Sequence, residues 1–304
     1  MITVIGSLNV DLVTNASRMP KVGETIMGKS FKQVPGGKGG NQADAIARLG
    51  SAVKIVGCVG EDELGNMLIQ SLQKDGADVS CIARLKGEAT GIASITVDDD
   101  GNNCIIVVAG ANKMLTVERL QESIDAIKET SVVVAQLEVP IETVKYALKA
   151  AKEFGKTTIL NPAPAAVLDD EMLASIDILI PNETELEAIS GRKIINNDDV
   201  LSAAQLLINK GVRELIVTLG DKGCIHVNRQ GSDIFKAYKV KAVDTTAAGD
   251  SFIGALAAAI SEGKELKDAI SFATAVGALT VTKEGAQSSL PLRAEVEEFI
   301  GNLA

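Results

Sequence analysis

Six short runs rich in Val, Ile and Leu recur along the chain, at 2–6, 53–57, 132–136, 157–160, 176–180 and 213–219. Runs apolar at nearly every position fit strands buried on both faces. Most are separated by segments with helical periodicity, which predict helices over 39–49, 62–75, 116–129, 141–154, 198–210, 249–262 and 266–282. Gly50 and Gly76 close the first two. This alternation predicts an α/β fold: a central, mainly parallel sheet flanked by helices on both faces, Rossmann-like in layout.

Two regions break the rhythm. Residues 8–34 and 91–109 read as short strands joined by turns, with no long helix between them. In the second, Gly-Ile-Ala-Ser-Ile-Thr-Val and Cys-Ile-Ile-Val-Val-Ala flank a turn at Asp98-Asp99-Asp100-Gly101, a hairpin pattern. Such strands cannot all extend the central sheet, so a small β-sheet lid is expected, inserted from about 11–34 and 91–109 into one α/β domain spanning 1–304. The apolar run Ile105-Ile106-Val107-Val108 needs a cover. Either a second copy supplies it, giving a homodimer through the lid, or the hairpin packs on its own domain.

Charge narrows the function classes. A formal net charge of −10, with no Lys/Arg cluster, argues against a nucleic-acid partner. Any anionic ligand must then be held by local donors, which glycine-rich turns and helix N-termini provide. No stretch reaches the roughly 18 apolar residues that span a bilayer, and the N-terminus lacks a basic segment ahead of an apolar one. Cys58, Cys81, Cys104 and Cys224 lie far apart, and each is expected as a small buried hydrophobe in a reduced, cytoplasmic protein.

Two segments carry candidate chemistry. The first, Pro35-Gly36-Gly37-Lys38-Gly39-Gly40-Asn41-Gln42-Ala43, runs into an Ala-rich helix. Its glycines allow backbone N–H groups to approach a small polar ligand, but the segment reads equally as a tight strand-to-helix connection. It is not a Walker A loop, because the G-x-x-x-x-G-K-[ST] spacing is absent. The second, Val243-Asp244-Thr245-Thr246-Ala247-Ala248-Gly249-Asp250-Ser251-Phe252, opens another apolar helix. Small residues there leave the first N–H groups open to an anion, and Asp250 in the first turn could take a proton from a hydroxyl. Taken singly, Asp250 also fits a helix-dipole partner, and Asp244 or Thr245 an N-cap.

Together these segments resemble the paired signatures of the ribokinase-like carbohydrate kinases, the PfkB family. The likeness covers essentially the whole chain. It extends through Gly6-Ser7-Leu8-Asn9-Val10-Asp11, Asn161-Pro162-Ala163-Pro164-Ala165, Pro181-Asn182-Glu183-Thr184-Glu185, Thr218-Leu219-Gly220-Asp221-Lys222-Gly223 and Gly285-Ala286-Gln287. Within the family, the Asn-x-Asp, the glycine loop and the double alanine look like the members acting on ribose rather than on fructose or adenosine. The resemblance implies transfer of the γ-phosphoryl group of ATP to O5 of ribose, with another pentose, deoxyribose or a hexose as the alternative acceptor.

The same resemblance implies roles. Asn9, Asp11, Gly37, Lys38, Gly39 and Asn41 would bond the sugar, each hydroxyl donating and accepting. Glu138 would reach the sugar from the sheet side, although a carboxylate ahead of Pro140 also reads as a surface residue. Asp250 would be the base, and the backbone of Ala247, Ala248 and Gly249 the anion hole. Asn182 and Glu185 would hold Mg²⁺ through water. The turn Thr218, Leu219, Gly220, Asp221, Lys222 and Gly223 would cradle the nucleotide with Asn182 and Gly249. Thr274 stands where some members place a His near adenine, so the adenine contact there would be weaker or reduced to packing. Asp244 and Thr246, with Thr280, Lys283, Gly285 and Ser289, would surround K⁺.

Two other classes fit less well. A dinucleotide-binding dehydrogenase needs G-x-G-x-x-G after the first strand, where Gly6-Ser7-Leu8-Asn9-Val10-Asp11 stands instead. A non-catalytic sugar-binding protein would have an altered base or anion hole, and both are intact. The single histidine, His226, lies outside every motif and reads as an ordinary strand residue.

Overall fold

The computed structural model describes residues 1–302. Its strands are β1 (Ile2–Ile5), β2 (Asn9–Ala16), β3 (Gly28–Gly36), β4 (Val53–Gly60), β5 (Asp78–Leu85), β6 (Gly91–Val97) and β7 (Asn103–Val108). After these come β8 (Val132–Ala135), β9 (Thr157–Leu160), β10 (Ile178–Leu179), β11 (Glu214–Thr218), β12 (Cys224–Asn228) and β13 (Gly231–Phe235). The helices are α1 (Lys38–Arg48), α2 (Glu63–Lys74), α3 (Val117–Glu122), α4 (Ile124–Lys128), α5 (Ile141–Glu153) and α6 (Asp170–Ala174). They continue with α7 (Glu183–Ser190), α8 (Asn197–Asn209), α9 (Ala248–Ser261), α10 (Leu266–Thr280) and α11 (Arg293–Gly301).

Nine strands form the central sheet in the order β13-β12-β11-β10-β9-β8-β1-β4-β5. The seven from β11 to β5 are parallel, and the β12–β13 hairpin adds an antiparallel edge. Because successive side chains of a strand point to opposite faces, β8 sends Val132 and Val134 into one core and Val133 and Ala135 into the other. The first core lies under α1, α2, α9, α10 and α11, the second under α3 to α8. Fully burying each such aliphatic side chain contributes roughly 1.5–3 kcal/mol, and this favours a doubly covered sheet over any open one. The connection order reverses between β1 and β8, the kind of switch point beside which α/β sheets bind ligands.

The irregular regions form a separate four-stranded sheet, β3-β2-β6-β7, as the break in periodicity predicted. Covering of β7 by its own domain does not occur. All six residues of the strand are exposed, with Ile105, Ile106, Val107 and Val108 each more than half accessible. Cys104 lies on this strand and is exposed, and Cys81 is half-buried, so only Cys58 and Cys224 are the buried hydrophobes expected of all four. The predicted helix over 116–129 divides at Ser123 into α3 and α4. No helix among the described residues is long and apolar enough to cross a membrane.

Candidate active site

At the C-terminal ends of β9, β10 and β11 lies a cavity of about 240 Å³ lined by Lys38, Asn161, Ile180, Asn182, Glu185, Thr218, Thr245, Ala247, Gly249, Asp250 and Ile253. A larger cavity, about 380 Å³, sits at the N-terminal ends of the same strands around Lys152, Thr157, Ile178 and Glu214. Only the former is lined by residues of the two segments that carry candidate chemistry, Lys38 from the first and Thr245, Ala247, Gly249 and Asp250 from the second.

The glycine loop is a strand-to-helix connection and a ligand platform at once. Gly37 has φ +82°, and a Cβ there would stand 2.6 Å from Asn9 N and 3.0 Å from Ser7 O, so the loop packs directly on the connection between β1 and β2. Gly40 N–H donates to Ser7 O at 2.9 Å. Glu138, beyond β8, accepts from Ser7 Oγ and, at 3.1 Å, from Lys38 N–H. It faces the loop rather than bulk solvent. Asn9 is buried and its Oδ1 accepts from Asn112 Nδ2 at 2.7 Å, so of the accepting and donating role expected of Asn9 its amide nitrogen remains free for a ligand.

Asp250 joins the two segments. Its Oδ2 accepts from Asn41 Nδ2 at 3.0 Å and its Oδ1 from Gln42 Nε2 at 2.9 Å. Asn41 Oδ1 is buried without a partner among the described residues, an acceptor suited to a ligand hydroxyl. The carboxylates crowd one another. Burial, then the nearby Glu138 and Asp250, push Asp11 up to about 6. Burial pulls Lys38 down, but Asp250, Glu138 and Glu185 outweigh it and hold the ammonium above its ordinary value.

Just before Asp250, Ala247 adopts the left-handed region at φ +60°, ψ 7°, which costs a non-glycine residue on the order of 1–2 kcal/mol. That conformation turns the chain so that α9 begins at the cavity. The Ala248 N–H makes a long bond of 3.3 Å to Thr245 O, whereas no backbone acceptor takes the Ala247, Gly249 or Asp250 N–H among the described residues. Ala247 and Gly249 therefore offer the freer donors to an anion, and Ala248 the less free.

The remaining predicted residues divide. Asn182 is the N-cap of α7 and shares a capping box with Glu185: Asn182 Oδ1 accepts from Glu185 N–H and Glu185 Oε2 from Asn182 N–H. Burial, first, and Asp250 raise Glu185, with Asn182 N–H and Lys38 opposing. Thr218 lines the cavity; the turn Leu219, Gly220, Asp221, Lys222 and Gly223 follows it as a single 3₁₀ turn. Thr274 is buried in α10, its hydroxyl bonded to Ile270 O at 2.8 Å, so it packs rather than presenting a polar group. Asp244 Oδ1 takes Thr246 N–H and Oγ1, and its Oδ2 takes Gly285 N–H at 2.9 Å, which ties the two loops together. Burial raises Asp244, but these hydrogen bonds win and lower it. Thr280 O accepts from Lys283 N–H, Lys283 Nζ pairs with Glu295, and Ser289 Oγ bonds Ala286 O. His226 is buried on β12 with Nε2 2.7 Å from Glu214, which lines the other cavity.

Sequence reasoning passed over Ser7, Gln42, Asn112 and Asn161. The available signal was a polar residue on an otherwise Ala-rich buried helix: Gln42 is fully buried between Asn41 and Ala43.

Residues 1–293 match the family model described as pfkB family carbohydrate kinase. The chain belongs to the PfkB carbohydrate kinase family. Among its relatives in the family are a ribokinase of Haemophilus influenzae, 41% identical over 300 residues and 98% of each chain, and a deoxyribokinase of Salmonella typhimurium, 38% identical over 300 residues and 98% of each. The PfkB fold is shared with Arabidopsis thaliana ribokinase complexed with ribose and ATP, with TM-score 0.94, 33% identity and 98% of each chain covered. Ribokinase from Thermotoga maritima gives a TM-score of 0.91 at 41% identity over 99% of each chain. As a PfkB carbohydrate kinase the chain is a phosphotransferase with a sugar hydroxyl as acceptor.

Proposed function

We propose that this carbohydrate kinase transfers the γ-phosphoryl group of ATP to O5 of D-ribose, giving ribose 5-phosphate and ADP. The observation that carries the reading is the Asn41–Asp250 hydrogen bond, which joins the glycine loop to the α9 N-terminus. Sugar-bonding groups and the anion-binding turn thereby share one site.

In this reading Asp250 takes the proton of the acceptor hydroxyl as its oxygen bonds to the γ-phosphorus and the bond to the ADP oxygen breaks. The base need not be strong, because the hydroxyl acidifies as it attacks. The Ala247 and Gly249 N–H groups, at the positive end of α9, stabilise the charge on the transferring group. Asn41 Oδ1, Asn9 Nδ2, Asp11 and Glu138 orient the sugar. Thr218 and the turn after it hold the nucleotide.

Glu185 fits a water-mediated Mg²⁺ site: one oxygen is fixed by the Asn182 N–H and the other is free toward the cavity. Bound there, the ion would offset the negative charge of the phosphates. Asp244, with its donors from Thr246 and Gly285, fits a loop pair around K⁺. The second sheet is read as a lid inserted in one α/β domain, because Asn9 and Asp11 lie on β2. The exposed apolar residues of β7 support a homodimer through that lid. A cytoplasmic setting suits the four free thiols.

A second reading, 2-deoxyribose as acceptor, is favoured by 38% identity to a deoxyribokinase. Coupled ADP release across ribose, deoxyribose, other pentoses and hexoses, with and without K⁺, tests both. Ribose giving the highest kcat/KM supports the first, and turnover with no sugar in the panel overturns the kinase reading.

A further inference from the structure

Asp250 is not held by Asn41 alone. Gln42 Nε2 donates to its Oδ1 at 2.9 Å, and Gln42 Oε1 in turn accepts from Gln136 Nε2 at 2.7 Å. Both glutamines are fully buried. Gln42 lies on α1 and Gln136 just past β8, so the chain of amides runs from the switch point of the sheet to the candidate base.

Carboxylate chemistry sets the direction of this chain. An ionised carboxylate only accepts, so Gln42 has to present its NH₂. That leaves the Gln42 oxygen facing Gln136, which has to present its own NH₂ in turn. Gln136 Oε1 ends buried with no hydrogen-bond partner among the described residues. A side chain chosen for stability alone would not leave that acceptor unpaired, because an apolar group of the same shape avoids the cost. Local rules give way like this where geometry serves function.

The terminal torsion of an Asp side chain is broad, so an unbraced carboxylate rotates. Asn41 on Oδ2 and Gln42 on Oδ1 hold both oxygens from one rigid helix, and each oxygen keeps a further lone pair for a proton. We propose that Gln42 and Gln136 are positioning residues that fix the plane of the Asp250 carboxylate, so that a free lone pair faces the acceptor hydroxyl. This deepens the kinase reading and rests on it.

The test is a double-mutant comparison with Asp250, by steady-state and single-turnover kinetics on the full chain. Gln42→Leu is expected to lower kcat roughly tenfold to a hundredfold, with sugar and ATP KM nearly unchanged. In an Asp250→Asn background the same substitution should cost no more than about twofold, since the proton acceptor that it orients is already gone. Gln136→Leu should show a smaller loss of the same type, and the Gln42→Leu/Gln136→Leu double variant should be no worse than Gln42→Leu. Equal losses in both backgrounds, or a raised sugar KM at unchanged kcat, overturn the proposal. If Gln42→Leu does not accumulate as folded protein, Gln136→Leu decides on the same readouts. A wild type without ADP release on any sugar sinks the kinase reading itself. A wild type that turns over, with both Leu variants at full kcat, sinks only the brace.

Discussion

Gly254 lies so close to Ala45 that a Cβ at position 254 would stand 2.7 Å from Ala45 Cβ and 3.0 Å from Gln42 O. Gly254 is one turn beyond Asp250, and Ala45 is one turn beyond Gln42. The missing side chain therefore lets α9 and α1 approach until the carboxylate meets both amides. Gly254→Leu is expected to force the helices apart, lowering stability by about 1–3 kcal/mol, the usual range for overpacking. Turnover should fall more than the melting temperature alone explains, because the Asn41 and Gln42 bonds lengthen. Thermal unfolding and kcat measured on one preparation check this, and unchanged kcat would show that the crossing distance does not set the site.

Asp250→Asn keeps the shape of the side chain but removes the proton acceptor. Turnover should drop at least roughly a hundredfold, the lower end of general-base effects, with circular dichroism and melting close to wild type. Wild-type turnover in that variant removes the assignment.

Glu185→Gln preserves the capping box, since Gln at the third helical position still reaches the N-cap N–H. The helix should stay intact while the Mg²⁺ concentration for half-maximal rate rises roughly tenfold or more. A metal titration of rate at fixed ATP decides, and an unchanged midpoint removes Glu185 from the proposed ion.

Asp44 gives a pH dependence that has nothing to do with turnover. It is buried on α1, and neither oxygen has a hydrogen-bond partner among the described residues. Burial, then the neighbouring Asp75, raise it to about 8 against the opposing pull of Arg48. The folded chain holds this proton up to about pH 8, the unfolded chain only to the ordinary value of 3.8. Its contribution to stability is therefore fully present below pH 3.8 and declines as pH rises through 8. Asp44→Asn should melt at least about 2 °C higher than wild type at pH 8.5, with the gap shrinking toward pH 5. Parallel melting curves for the two proteins at every pH would refute it.

Ile106→Lys places a charge in the exposed run of β7. A dimer joined through that strand should dissociate, which light scattering on a sizing column would register as a halved mass. An unchanged dimer would locate the contact elsewhere.

Six of the seven parallel strands were legible because burial on both faces leaves a continuous apolar run, as in Val132-Val133-Val134, whereas the partly exposed edge strand β5 has no such run and was missed. Helix α7 was missed too, because only eight residues long and half exposed it shows little periodicity; the Asn182…Glu185 capping box that begins it was the available signal. The exposure of β7 was half legible: the apolar run was plain, but whether its own domain covered it depended on where the second sheet sits.

Asp250 stood out from local order, as a first-turn carboxylate after a run of small residues, whereas Asn9, Asp11, Lys38 and Asn41 were named only through the likeness to the PfkB signatures. The brace through Gln42 and Gln136, and the Asn112 bond that engages one end of Asn9, could be named from neither. Local pattern determines which segments become strands and helices, since it depends on neighbours a few residues apart. Which amide faces which carboxylate is decided only when the two helices cross and the buried donors compete for acceptors, and those partners come from opposite ends of the chain.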